Sequence, residues 1–352
     1  MRVLSLHIGF LGVRGGIASA ARSLIDELAG RNGGTPNEVI AHSLLGHESI
    51  SEDLPKAPSV TTRGFDGEKL RFAAASLATA RTFRPDWVFV DHISLMPAAY
   101  PVAASVGARL ALFLHGTEIY GPRARPDVRT YTPPKHLVAL ARRADVLFAN
   151  SPWTARLASE ALGLEVAPTV SWLPIEERKA DHLRRATAEA PREDGRYLLM
   201  VSRIDRGDDY KGHDELLDAL GTLPADVSLR IVGAGGAAES LREAVRARGV
   251  DERVAVLGFV SDAELARLYA NAEGFVMLSA GEGLGLVYLE ALFAGVPVLG
   301  LSPGPIDDLE PFGATAIRRL ADLPAALADL LARGNGTGAR RTVPFRLRLP
   351  AP

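Results

Sequence analysis

The sequence contains no cysteine, which excludes disulfides, thiolate metal sites and a cysteine nucleophile. No run approaches the roughly 20 uninterrupted apolar residues of a membrane span. The apolar N-terminus, MRVLSLHIGF, is short and runs into Gly12-Val13-Arg14-Gly15-Gly16 rather than into a small-residue cleavage site. A surplus of charge is missing too. Lys and Arg number 40 against 42 Asp and Glu, a net charge of −2, which argues against a general nucleic-acid binder. What the chain has in quantity is apolar surface: 47% hydrophobic residues against 23% charged, enough for a sizeable core. Its 352 residues predict about two domains. A soluble, cytoplasmic chain is expected.

Apolar runs at 3–10, 38–45, 60–65, 87–91, 110–115 and 146–151 alternate with helical patterns such as Ala18–Leu28, Lys69–Phe83 and His136–Arg143. Strands alternating with helices predict an α/β fold, a parallel sheet with helices on both faces. Gly12–Gly16 reads as a glycine loop between the first strand and helix. Its spacing is not G-x-G-x-x-G, so a dinucleotide site of that type is not supported. Ser151 is expected to cap a helix that has Pro152 at its first position. His115-Gly116-Thr117-Glu118 ends the buried strand LALFLHG, and strand C-termini are where open α/β sheets bind ligands. Glu118 fits either a ligand contact or the start of the next element. His92, also near a strand end, reads as structural.

Residues 121–135 hold four prolines and a cluster of Arg and Lys, the composition of a loop. That loop suits a phosphorylated or lipid-linked partner, or simply a charged face in water. The composition changes again at 173–196, almost without aliphatic residues after Ile175, which predicts a linker and the start of a second domain. Tyr197–Ser202 then reads as a strand, and the following loop to Asp214 carries Arg203 and Lys211. A strand–loop–helix with a cation at each end suits a diphosphate, although a solvated charged loop has the same composition. Leu229–Val232 ends in Gly233-Ala234-Gly235-Gly236. Val254–Phe259 precedes a helix start with Ser261 as cap and Glu264 completing a capping box. Ala321–Ala332 is one more amphipathic helix. After Ala332 come five Arg and no acid, and 333–352 is expected to be a disordered tail. The predicted division is 1–172, a linker region 173–196, 197–332 and that tail.

The most informative stretch is 281–290, GEGLGLVYLE. The apolar strand Gly274–Ser279 runs into Gly281 and Gly283, which flank Glu282. Gly285 follows, and a helix starting near Leu284 carries Glu290. Strand, glycine turn and helix start leave backbone N–H groups directed at an anion. Read on the residues alone, the same stretch also fits an ordinary turn with a solvated Glu282.

Glu282-Gly283-Leu284-Gly285, followed by Glu290-Ala291-Leu292-Phe293-Ala294-Gly295-Val296-Pro297-Val298, resembles the E-x7-E segment of glycosyltransferase family 4, the group 1 glycosyltransferases. The resemblance implies a GT-B-like arrangement, two Rossmann-like domains facing a cleft, and retaining transfer of a hexose-type sugar from a nucleotide-diphosphate donor to a hydroxyl acceptor. It implies that Arg203 and Lys211 bind the leaving diphosphate with the amides of Gly283, Leu284 and Gly285. Glu282 would orient the sugar hydroxyls and Glu290 the ribose, while Gly15 and Gly16 lie near the donor phosphate. Gly233 and Phe259 would border the base and ribose. His115 would lie against the donor sugar, its backbone carbonyl facing positive charge at the anomeric carbon, with Glu118 on the acceptor side. The donor would be UDP- or GDP-linked and no metal would be required. The acceptor would be a glycan, a lipid-linked or a small molecule, with peripheral contact to the inner membrane face left open. Two other readings stay open: a sugar-nucleotide epimerase of the same fold, and a nucleotide-sugar-binding protein without turnover. The resemblance runs to about residue 332. The family's final helical stretch, which crosses back over the first domain, is not recognisable, and Leu173-Pro174-Ile175-Glu176 replaces the family's Asn-Gly-Val-Asp.

Overall fold

The computed structural model describes residues 1–13, 15–32, 35–46, 57–119, 133–189, 195–206, 211–334, 347, 349 and 350. They fall into two compact units: one takes in the described residues to 176 together with the last few, and the other runs from Glu177. Most of the basic loop expected at 121–135, the middle of the 203–214 loop and most of the tail lie outside the described residues.

In the first unit the elements are β1 (Arg2–His7), α1 (Gly16–Leu28), a short antiparallel ribbon of β2 (Arg31–Asn32) with β3 (Thr35–Pro36), β4 (Glu38–Ser43), β5 (Val60–Gly64), α2 (Lys69–Phe83), β6 (Trp87–Val90), α3 (Met96–Val106), β7 (Arg109–Leu114), α4 (Lys135–Ala141), β8 (Val146–Ala149), α5 (Pro152–Leu162) and β9 (Thr169–Val170). The main sheet has the order β5-β4-β1-β6-β7-β8-β9 and every pairing in it is parallel. Successive strand residues point to opposite faces, and both faces are covered. Leu4, Leu6, Val88, Val90, Leu110, Leu112 and partly buried Ile40 pack with residues of α2, α3, α4 and α5. Ala41, next to Ile40, packs instead with Ala21 and Ile25 of α1. This is the doubly wound sheet expected from the alternating pattern. Ser151 caps α5 by accepting from Thr154 N at 3.0 Å. His92 accepts from Ser94 N at 3.1 Å and so caps a short turn.

The second unit contains α6 (Glu177–Glu189), β10 (Arg196–Val201), α7 (His213–Ala219), β11 (Val227–Val232), α8 (Ala238–Ala247), β12 (Val254–Gly258), α9 (Asp262–Asn271), β13 (Gly274–Met277), α10 (Leu286–Ala294), β14 (Val298–Leu301), α11 (Pro305–Leu309), β15 (Ala314–Ile317) and α12 (Leu323–Arg333). Its sheet order is β12-β11-β10-β13-β14-β15, again parallel throughout. Strand order reverses between β10 and β13, and the crevice at the C-terminal ends of such a strand pair is where open α/β sheets take ligands.

Two stretches differ from the reading above. In the region expected as a linker and the start of the second domain, the second unit begins at Glu177 with a helix not anticipated there, α6, which packs on α9 and α10. Arg178 pairs with Asp262 at 2.9 Å, and the Arg184 guanidinium lies 5.6 Å from the Phe293 ring centre. At the other end α12 continues to Arg333, so the tail does not begin there. Among the described tail residues Leu347 is 6% exposed, and the Trp87 indole donates to the Pro350 carbonyl at 3.2 Å. Those residues are packed on the first unit.

Candidate active site

In the second unit the switch point assembles two of the residues singled out from the sequence. Lys211 Nζ donates to Glu282 Oε1, and Ser279 Oγ donates to the same oxygen at 3.3 Å. The Lys211 and Glu282 side chains are 9% and 16% exposed. A buried ammonium needs a partner to offset its desolvation, and Glu282 supplies it. Gly212 makes the approach feasible: it adopts φ +82, and a Cβ there would stand 2.5 Å from Leu278 Cβ. Glycine alone tolerates both that backbone region and that contact, which brings Lys211 against the loop leaving β13.

That loop ends at Gly285, the N-cap of α10, in left-handed conformation with φ 73 and no side-chain capping bond. The helix starts at Leu286, two residues beyond the predicted start, so Glu290 lies about one turn in. Tyr288 OH donates to the Met277 carbonyl at 2.6 Å and ties the first turn of α10 to the end of β13. Amides at such a start, backed by the helix dipole, favour an anion. Gly283 and Leu284 of this loop are buried.

Glu290 is buried and held on both oxygens. Lys179 Nζ of α6 donates to Oε1 at 2.9 Å, and Tyr269 OH of α9 donates to Oε2 at 3.2 Å. Burial, then the charge of Glu290 and its hydrogen bond, push the Tyr269 hydroxyl well above its ordinary range, so it stays a donor. On the other side of β10, at the ends of β11 and β12, Gly233 N donates to Gly258 O at 2.9 Å, next to Phe259, which is 64% exposed. Arg203 is exposed just beyond β10, and Ser202 Oγ meets His213 Nε2 at 2.9 Å.

In the first unit His115 and Glu118 are adjacent. Glu118 Oε1 accepts from His115 N at 2.7 Å, so this buried acid holds the strand end in place. Asn150 Nδ2 donates to the His115 carbonyl at 2.8 Å. The His115 ring is buried with Nε2 unpartnered. Burial pushes its pKa down, against the pull of Glu118 and Asp91, and the ring is neutral near neutral pH. Around it lies a polar cluster that sequence reading did not single out. His7 Nδ1 and Asp91 Oδ2 are 2.7 Å apart, and Ile8 N donates to Asp91 Oδ1 at 3.1 Å. Burial, the largest influence, works to raise the Asp91 carboxyl, but His7, by charge and hydrogen bond, together with the neighbouring His115 and His92, holds it below the usual range. The one trace in sequence is a His and an Asp interrupting apolar strands.

Gly15, with φ 117, is the N-cap of α1 and Gly16 its first residue, and no side chain caps this start. Arg22 of α1 donates Nη1 to Phe10 O at 3.1 Å and Nη2 to Glu176 Oε2 at 3.3 Å. Ser19 Oγ donates to the same Glu176 oxygen at 3.0 Å. Glu176, one of the residues departing from the family pattern, therefore braces the helix behind the glycine loop. Among the described residues no group of three or more His, Asp or Glu is placed to hold a metal, and no helix is long and apolar enough to cross a membrane.

Residues 14–172 match the family profile Glycosyltransferase Family 4, and residues 184–315 match Glycosyl transferases group 1. A 2-deoxystreptamine N-acetyl-D-glucosaminyltransferase of Streptomyces fradiae is 29% identical over 78% of this chain and 69% of its own length. A GDP-mannose-dependent phosphatidylinositol monomannoside mannosyltransferase of Mycobacterium tuberculosis is 36% identical, over 34% of this chain and 35% of its own length. Among solved structures, Anabaena HepE in complex with UDP superimposes with TM-score 0.71 at 19% identity, covering 95% of this chain and 90% of that one. Sucrose-phosphate synthase from Thermosynechococcus elongatus gives TM-score 0.72 at 17% identity, over 94% and 90%. These likenesses give the fold as that of the GT-B glycosyltransferases. With one profile on each unit and the E-x7-E acids at the switch point, the chain belongs to glycosyltransferase family 4, the group 1 glycosyltransferases.

Proposed function

We propose that this glycosyltransferase moves a hexose-type sugar from a UDP- or GDP-linked donor to a hydroxyl acceptor with retention of anomeric configuration. The observation that carries the reading is the Lys211–Glu282 pair beside the uncapped start of α10. An ammonium has three donors, so Lys211 can hold a carboxylate and phosphate oxygens together. As the glycosidic bond breaks, negative charge grows on the leaving diphosphate. Lys211, Arg203 and the amides of Gly283–Gly285 stabilise it there, in the way preorganised donors lower barriers. These fixed positive groups do the work that a metal would otherwise do. Glu282 orients the sugar hydroxyls, Glu290 takes the ribose, and Gly233 and Phe259 border the base.

On the first unit, His115 serves the transferred sugar and Gly15–Gly16 the donor phosphate. Glu118 holds the His115 amide at the strand end and serves the acceptor side with the acceptor sites its carboxylate has left. The acceptor panel begins with small polyhydroxylated molecules, because the relative matched over 78% of this chain carries 2-deoxystreptamine in its name. Lipid-linked acceptors come next, because the mannosyltransferase relative is named for a phosphatidylinositol mannoside.

The test is thermal stabilisation by a panel of UDP- and GDP-sugars, followed by product analysis with the stabilising donor. A ligand at about 100 times its Kd stabilises the folded state by about 2.7 kcal/mol. An α-linked product from an α-linked donor supports the reading. Inversion, or conversion of the donor sugar without an acceptor, would overturn it in favour of other chemistry on the same fold.

A further inference from the structure

Glu290 has a partner on an element outside the E-x7-E segment. Lys179 stands in the first turn of α6, and its ammonium donates to Oε1 of Glu290 at 2.9 Å across 111 residues of sequence. The Glu290 side chain is 5% exposed and that of Lys179 26%. Tyr269 OH holds the other oxygen. The acid is thus gripped once on each oxygen, by one charged and one neutral donor.

An ionised carboxylate offers about four acceptor sites, two on each oxygen. Among the described residues one donor on each leaves one site on each oxygen. Two acceptor oxygens on one rigid group suit a vicinal diol, which presents two hydroxyl donors. We propose that Lys179 is a positioning residue: it fixes Glu290 in the orientation that recognises the 2′,3′-diol of the donor's ribose. This rests on the assignment of Glu290 to the ribose made above. Glu290 is buried, and without Lys179 its charge has no cationic partner among the described residues and its oxygens are held at one end only. α6 is well suited to the task, because Arg178–Asp262 and Arg184–Phe293 anchor it on both sides of Lys179.

The experiment compares binding of UDP and GDP with binding of their 2′,3′-dideoxy forms by calorimetry, in the full chain and in E290Q, K179M, K179Q and K179R. Hydrogen bonds to a charged group imply a ribo/dideoxy preference of about 10–100-fold in the unaltered chain. E290Q is expected to bring that ratio close to one. K179M and K179Q are expected to shrink it severalfold while binding of the dideoxy forms stays nearly unchanged, and K179R is expected to restore most of it. Either neutral variant suffices if the other fails to fold. Collapse in E290Q with an intact ratio in both neutral variants overturns the role of Lys179 and leaves Glu290 at the ribose. Equal weakening of both ligand forms shows that Lys179 merely supports the fold, which also overturns it. An intact ratio in E290Q removes Glu290 from the ribose and the proposal with it.

Discussion

Lys211 and Glu282 lie 71 residues apart in sequence and share an ion pair at the end of β10 and β13. Under the proposed assignment one holds the leaving diphosphate and the other the sugar hydroxyls, and the pair would then couple the two halves of the donor. A fixed ammonium near a leaving diphosphate matters more in the transition state than in the ground state. Lys211→Ala is therefore expected to lower kcat by about 10²–10³, and Arg203→Ala to behave similarly. Arg206→Ala, in the same loop and exposed, should change little. Steady-state kinetics with the stabilising donor reads all three, and equal small effects would return the loop to plain solvation.

His115→Ala should depress turnover while leaving the affinity for free nucleoside diphosphate almost intact. The ring packs 5.1 Å from Phe113, centre to centre, and the carbonyl is held by Asn150. Removing the ring lets the strand end shift, and misplacement of a reacting group by about 1 Å can cost about 10²-fold in rate. Asn150→Ala should reproduce the effect through the carbonyl alone. A matching loss of diphosphate affinity in His115→Ala would assign the residue to the phosphate site or to the fold.

Burial next to Arg63 and His7 depresses His42 from 6.5 to about 4, while its ring bonds Ser76 Oγ at 2.9 Å. Its folded pKa lies below the unfolded one, so between pH 6.5 and about 4 the unfolded chain binds the extra proton and stability falls with pH. The full difference is about 3 kcal/mol, reached near and below pH 4. Urea unfolding at pH 7, 5.5 and 4.5 should show this slope, and His42→Gln should flatten it by a comparable amount. An unchanged slope would place the acid sensitivity elsewhere.

The parts of the fold legible in sequence are those in which neighbours in the chain determine the structure. Buried parallel strands read as short apolar runs, glycine turns announce themselves, and Ser151 and Ser261 capped their helices where expected. What was not legible was made by contacts between distant residues. α3 carries Pro101 in its interior, which ordinarily argues against a helix. The carbonyl that loses its donor belongs to Pro97, which is exposed, so water can serve it. α6 buries only Ala180 and Leu183, too thin an apolar stripe to stand out from a charged linker. Lys179 was hidden in it, and neither its pairing with Glu290 nor that of His7 with Asp91, 84 residues on, can be read from a single sequence, even though the His and the Asp each stand out against an apolar strand.

The end of the chain shows the same effect, and it reverses an expectation. An Arg-rich stretch without acids suggests a segment that can be removed at no cost. Yet Leu347 is buried, and the fully buried Trp87 donates its indole N–H to Pro350. Burying a leucine contributes about 1.5–3 kcal/mol, and leaving a buried donor unpaired costs about 1–3 kcal/mol. A chain lacking residues 347–352 should therefore be less stable by about 3 kcal/mol in total, allowing for the entropy regained by the freed residues. For a unit of this size, that corresponds to a fall in Tm of several degrees. Leu347→Ala separates the apolar part, and Trp87→Phe removes the donor while keeping an aromatic ring at that position. Differential scanning fluorimetry of the three variants is sufficient. An unchanged Tm in the truncated chain would mean that the contacts of Leu347 and Pro350 contribute nothing to the fold.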